Sequence, residues 1–284
     1  MRRASRTATN GARVKYTSVS LPDGIRDQLG ELKNMLNAGG KKIWFMTGAG
    51  VSVSTGIPGY DDDSREKMKF ATKGDFKLLN IAITPMVEVL TQQITMTPFY
   101  RLLRDKQALL YDCVTLNIDN LSSVFPLTKE LHGSVSTIIH SEGGQGCTAT
   151  CDPADYFSAI LLDPKTVRCV ACYKPLRPKA VMYDDDPLYQ SLFMKNSELI
   201  DNPFASEAMT HVVAVFVGLS FLTDIAKNML AKAYKAAESK KIHHRIYIIN
   251  TTEVDIEKPK ATTSRVEVVH LLMSADDFAD FLLA

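Results

Sequence analysis

Residues Lys41–Asp63 read KKIWFMTGAGVSVSTGIPGYDDD. The apolar run Ile43-Trp44-Phe45-Met46 breaks into Gly48-x-Gly50, so a short strand here runs into a glycine turn. Backbone N–H groups at such a turn can face a phosphate or another anion. The spacing is not that of a dinucleotide fingerprint, because Val53 stands where a third glycine would be. Glycines punctuate tight turns of every kind, and a plain strand–helix turn fits as well. The stretch also ends in Asp61, Asp62 and Asp63, three carboxylates that repel phosphate. Spacing alone leaves both readings open.

Outward from this stretch the chain alternates apolar runs with helical patterns. Asp23–Gly40 sets Ile25, Leu29, Leu32 and Leu36 on one helical face and ends in Gly39-Gly40, a C-cap signal. Further apolar runs are ALLYDCVTLNID (108–119), SVSTIIH (134–140), KAVMY (179–183), HVVAVFVG (211–218), RIYIIN (245–250) and VEVVHLL (266–272). Most lack clean alternation, as parallel strands covered on both faces do. The helical pattern 223–239 falls between two of them and makes a βαβ unit. The fold class expected is α/β, a doubly wound parallel sheet with a smaller inserted domain. That inserted part combines a helical stretch, with Pro85 and Pro98 expected at helix starts, and a stretch punctuated by glycine and cysteine.

At 284 residues, 45% hydrophobic and 23% charged, the chain has enough apolar material for a sizeable core. A net charge of +1 gives no bulk argument for nucleic-acid or membrane binding, and no specific nucleic-acid signal is present. No apolar run is long enough for a transmembrane segment. Residues 1–22 carry Arg2, Arg3, Arg6, Arg13 and Lys15 and no acid. Such a segment reads as a mitochondrial targeting segment or as a disordered basic tail, the latter fitting a nuclear or cytoplasmic protein. No apolar stretch follows the arginines, which argues against a secretory signal.

Four of the five cysteines form two pairs, Cys147-x3-Cys151 and Cys169-x2-Cys172, separated by 17 residues. Thiolates at this spacing converge on one tetrahedral cation, and four sulfurs leave no open position for water. The expectation is a structural zinc held by Cys147, Cys151, Cys169 and Cys172; four free buried thiols is the alternative. Asn117 and Asp119 end one apolar run, where open α/β sheets place ligand contacts. His132, in the loop before another, is either a general base or a structurally satisfied histidine.

Taken in order, GAGVSVSTGIP, NID, HG, the two cysteine pairs, VGLS and IIN resemble the sirtuins, NAD-dependent protein deacylases, from about Lys41 to the C-terminus. The resemblance implies a Rossmann-like NAD-binding domain over 23–60, 106–140 and 177–284, a helical module over 61–105 and a zinc-binding module over 141–176. It implies that Gly48, Ala49, Gly50, Ser52, Gly56, Ile57 and Pro58 wrap NAD, with Ile118 beside them. Gly218 and Ser220 would contact phosphate and adenosine, and Asn250 the adenine side. Asn117 would lie by the nicotinamide ribose, Asp119 would receive the carboxamide, and His132 would be the base. The segment KAVMYDD would pair with an acylated protein or peptide lysine by its main chain.

Several positions depart from the family pattern. Asp61 replaces an arginine beside the cofactor; a unit charge pair at about 5 Å and an effective dielectric near 20 is worth roughly 3 kcal/mol. Leu116 replaces a glutamine of the ribose side, and a lost buried hydrogen bond costs about 1–3 kcal/mol. Leu219 replaces a phosphate-side threonine, and Tyr183-Asp184-Asp185 lacks the glycine of the peptide edge. Three readings follow: a deacylase releasing nicotinamide and acylated ADP-ribose with an altered pocket; a catalytically degenerate scaffold or subunit of a larger assembly; and an ADP-ribosyltransferase or NAD hydrolase.

Overall fold

The computed structural model describes residues 23–40, 43–59, 76–140, 147–181, 213–221, 224–239, 244–254 and 266–284. The basic N-terminal segment, Asp61–Asp63 and Tyr183–Asp185 lie outside the described residues. The strands, in chain order, are β1 (Ile43–Thr47), β2 (Leu110–Thr115), β3 (Thr128–Glu130) and β4 (Gly133–His140). They continue with β5 (Leu176–Ala180), β6 (Val213–Val217), β7 (His244–Asn250) and β8 (Val266–Leu272). The helices are α1 (Asp23–Asn37), α2 (Phe76–Leu90), α3 (Pro98–Asp105), α4 (Pro153–Leu162), α5 (Asp224–Ser239) and α6 (Ala275–Leu283).

Six strands form one parallel sheet in the order β3-β2-β1-β6-β7-β8. Its two faces are packed by different helices, which explains why the strands read as unbroken apolar runs. Ile43, Phe45, Val215 and Tyr247 face the α1, α3 and α6 side with Leu29, Leu32, Phe99 and Phe278. Trp44, Met46, Phe216 and Ile248 face the α5 side with Met229, Leu230 and Ala233. Each fully buried side chain of this size contributes about 1.5–3 kcal/mol of apolar transfer. Chain order reverses between β1 and β6, so a crevice opens at their carboxyl ends, where doubly wound sheets take ligands. The loops after Thr47 and Val217 both begin there.

The run 134–140 and the described part of the run 179–183 are not strands of that sheet. β4 and β5 pair antiparallel as a separate two-stranded sheet. A third core seats them: Val135, Leu176 and Ala180 pack with Leu79, Ile83 and Val87 of α2 and with Tyr156 and Ile160 of α4. β4 and β5 thus pack with the small core; the expected boundaries gave β4 and residues 177–180 of β5 to the NAD-binding domain and Leu176 to the zinc-binding module. Conversely α3, expected in the helical module, buries Phe99, Tyr100, Leu102 and Leu103, which join the large core. An apolar run shows that a strand is buried, not which sheet it joins.

Helix starts follow local chemistry. Pro98 occupies the first turn of α3, and Thr97 Oγ1 accepts from Tyr100 N. Pro85 instead lies inside α2. It removes one N–H from the helix, on an exposed side beside exposed Ile81, whose carbonyl can turn to water. Among the described residues no helix is long and apolar enough to cross a membrane.

Candidate functional site

The glycine loop after β1 is tied to the loop after β6. Gly48 N donates to Val217 O and Gly50 N to Gly218 O, each at 3.0 Å. A β-carbon on Gly50 would sit 2.6 Å from Gly218 Cα, so the two backbones touch and both positions need glycine. Gly218 also has φ +64°, and Gly56, which closes the loop, φ +97°. Two N–H groups that the sequence offered to a phosphate are thus spent on carbonyls of the neighbouring strand. Val51 N and Ser52 N likewise bond back to Gly48 O and Ala49 O. Ile57 is buried and Pro58 exposed at the loop's end.

Ser52 is the centre of a buried polar cluster. Its Oγ donates to Asp119 Oδ2 at 2.6 Å and accepts from Asn117 Nδ2 at 3.1 Å. With its one proton committed to Asp119, it accepts from Tyr100 OH at 2.7 Å. Asp119 Oδ1 accepts from Leu121 N at 2.9 Å. Burial pushes the Asp119 carboxyl above the usual range against the opposing effect of these bonds. Burial, and then the Asp119 charge, push Tyr100 far above an ordinary phenol.

The strand ends position the rest. Leu116 N donates to Thr47 O and Asn117 N to Thr115 Oγ1, which anchors this turn to β1 and β2. Ile118 O accepts from Val135 N, and Ile118 packs in the small core, so this segment joins the two modules. His132 Nδ1 lies 3.0 Å from Leu116 O, and His132 O accepts from Val181 N at 2.7 Å. A carbonyl can only accept, so Nδ1 carries a proton, and in the neutral form of the ring Nε2 is the basic nitrogen.

On the β6 side, Leu219 is buried and its Cδ2 would lie 2.6 Å from a β-carbon on Gly48. Asn250 Nδ2 donates to Leu219 O and Asn250 Oδ1 accepts from Thr251 N. Ser220 is exposed. Sequence reasoning missed two groups near the cluster, Tyr100 and Glu130. Glu130 ends β3 in register with Thr115, and burial, reinforced by the Asp119 charge, pushes it up to about 7. Nothing in a single Glu before Leu131-His132 signals that shift.

In the smaller module, one ligand atom from each of His140, Cys147, Cys169 and Cys172 lies within 4.8 Å of all the others. The donor set of three sulfurs and an imidazole suits zinc. Cys151 is not in this group; its sulfur lies 3.6 Å from Asp152 O. His140, seven positions before Cys147, is the sequence signal for this donor set.

The Sir2 family model matches residues 48–202, more than half of the chain. No curated protein sequence matches. Three solved structures show how similar the fold is. One, described as "Structural Basis for the Mechanism and Regulation of Sir2 Enzymes", is 18% identical over 90% of this chain and 96% of its own, with a TM-score of 0.65. A second, "The Structural basis for Sirtuin Substrate affinity", is 19% identical over 90% and 97%, with a TM-score of 0.63. A third, "Sir2-p53 peptide-NAD+", is 19% identical over 90% and 97%, with a TM-score of 0.59.

Proposed function

The chain belongs to the Sir2 family, and from that premise we propose that it is an NAD-dependent protein-lysine deacylase with a weakened cofactor pocket. The observation that carries this reading is the His132 ring, oriented by the carbonyl of Leu116, the residue that precedes Asn117, so that Nε2 is the basic nitrogen. NAD would supply the electrophilic ribose carbon and nicotinamide as the leaving group. A similar structure is described as holding a peptide and NAD+ together.

The residues present fit one end of that cofactor better than the other. Asp119 and Asn117 offer buried, pre-oriented polar groups for a carboxamide and a ribose, and burial costs them no reorganisation when a ligand arrives. His132 Nε2 would take a ribose hydroxyl proton while Nδ1 keeps its bond to Leu116 O. The acyl-lysine would approach the β5 segment, the described part of the edge that the family resemblance implies. At the pyrophosphate end, Gly48 and Gly50 N–H groups are already used and Leu219 covers Gly48. Fewer donors there mean lower cofactor affinity, with the chemistry at the ribose retained.

That same covered end favours a second reading, a sirtuin-fold scaffold that has lost the reaction. Incubating the protein with NAD and acyl-lysine peptides and measuring nicotinamide release separates the two. Release above the level of a His132→Ala control supports the deacylase; none at millimolar NAD supports the scaffold. Free ADP-ribose formed without peptide would instead point to hydrolysis or ADP-ribosyl transfer. The basic segment 1–22 is the ground for proposing a mitochondrial location, which imaging of a tagged full-length chain tests.

A further inference from the structure

We propose that this chain holds zinc through His140, Cys147, Cys169 and Cys172, and that Cys151 stands beside the metal as an uncoordinated thiol. This differs from the four-cysteine site that the cysteine spacing implies. The assignment does not depend on the deacylase reading.

Strand register puts His140 in place. His140 is the last residue of β4 and pairs with Leu176, the first of β5. β5 leads directly out of the cysteine knuckle, where Cys169 N donates to Lys174 O, Tyr173 N to Cys169 O, and Arg168 bridges Pro175. Pairing the two strands therefore brings the imidazole to the knuckle whatever Cys151 does. One ring nitrogen lies within 4.8 Å of the Cys169 sulfur. The ring's Nε2 is buried with no ordinary hydrogen-bond partner among the described residues. A buried imidazole nitrogen without a donor or acceptor is costly unless something else satisfies it, and a cation does so.

The spacing fits a filled tetrahedron. With zinc–sulfur bonds of about 2.3 Å, two sulfurs on one zinc stand about 3.8 Å apart. Cys147 Sγ and Cys169 Sγ are 3.9 Å apart. All four candidate ligand atoms lie within 4.8 Å of one another, so modest contraction closes the site.

Cys151 is placed by a different element. It immediately precedes Asp152, the N-cap of α4, whose Oδ1 accepts from Ala154 N at 2.7 Å. The helix start thus dictates where this thiol goes, and its sulfur faces the Asp152 carbonyl. It also sits among the charges of Asp155 and Asp152. A fourth thiolate would leave the zinc complex with two negative charges rather than one, next to those carboxylates.

The test uses the full-length zinc protein, its cobalt-substituted form, and mass mapping of cysteines alkylated with iodoacetamide. Cys151→Ser is expected to keep one zinc per chain and an unchanged cobalt spectrum. In the native protein Cys151 should be alkylated while Cys147, Cys169 and Cys172 stay protected until a chelator removes the metal. Because His140→Ala can fail to fold, His140→Cys is the second variant. It should retain metal and raise the thiolate-to-cobalt charge-transfer absorption by about a third, from three sulfurs to four. Loss of zinc in Cys151→Ser, protection of Cys151 by the metal, or no rise in His140→Cys would each overturn the assignment.

Discussion

Leu116 holds His132 through its backbone: the carbonyl oxygen of Leu116 lies 3.0 Å from His132 Nδ1, while the Leu116 side chain packs against the α5-side core. Position 116 thus has two separable jobs. The backbone job, setting which imidazole nitrogen is basic, is indifferent to the side chain. The side-chain job that the family resemblance implies, bonding a ribose, is the one leucine cannot do. Leu116→Gln is expected to lower the KM for NAD with little change in kcat, whereas His132→Ala abolishes nicotinamide release. Steady-state kinetics on both variants check this split; a fall in kcat for Leu116→Gln would count against it.

Ser52→Ala leaves Asp119, Tyr100 and Asn117 each short of a buried partner. An unsatisfied buried group costs about 1–3 kcal/mol, so this variant should lose stability of that order or somewhat more. Tyr100→Phe removes one member and leaves the Ser52–Asp119 bond intact, so its loss should be clearly smaller. Denaturant unfolding of both proteins tests the ranking. Equal losses would mean that Ser52 is not the hub.

Glu130 gives a pH signature. Its folded-state pKa is raised from 4.5 to about 7, by burial first and then by Asp119. A folded pKa above the unfolded one means that the folded state binds the proton more tightly. Stability is then fully present below about 4.5 and lost as pH rises through about 7. Glu130→Gln removes that loss, so the variant should gain in Tm over the parent between pH 5 and pH 8. Asp119, also raised, acts with the same sign in both proteins. Parallel Tm profiles for parent and variant would show that Glu130 does not titrate in this window.

Two glycine-to-alanine changes should move in opposite directions. Gly30 lies in α1, and an added methyl meets nothing within 4 Å. Gly30→Ala is expected to stabilise by about 0.5–1 kcal/mol through helix propensity. Gly50→Ala puts its methyl 2.6 Å from Gly218 Cα and must push the two crevice loops apart. It should lower Tm and weaken ADP-ribose binding together. Thermal melts with and without ADP-ribose check both.

The parallel sheet was legible because burial on both faces leaves strands with an unbroken apolar composition, as in β1 and β6. The same signal misled at 134–140 and 179–180, since β4 and β5 pack with α2 and α4 in a separate core instead of joining the large sheet. The polar cluster was legible in part: Ser52, Asn117 and Asp119, each singled out separately in the sequence, meet in one cluster, but Tyr100 arrives from α3 only through tertiary packing. What glycine spacing could not reveal is where the N–H groups point. Gly48 and Gly50 have the composition of a phosphate loop, yet both donate to the end of β6.

The covered pyrophosphate end leads to the last prediction. Leu219 rests on Gly48, at a position where the family resemblance implies a threonine, and Leu116 stands where it implies a glutamine. If affinity is low because hydrogen-bond partners are missing, Leu116→Gln with Leu219→Thr should restore it. Each recovered bond is worth about 0.5–1.5 kcal/mol net, so the pair should tighten NAD binding by roughly 5- to 150-fold. The gain should be nearly independent of salt, because neither substitution adds a charge. Adding Asp61→Arg should bring a further gain that shrinks as salt rises, since it replaces an anion by a cation at a position that the family resemblance implies lies beside the cofactor. Titration calorimetry at low and high salt separates the two contributions. If neither set improves binding at any salt, the crevice is closed to NAD by shape, and the scaffold reading replaces the deacylase.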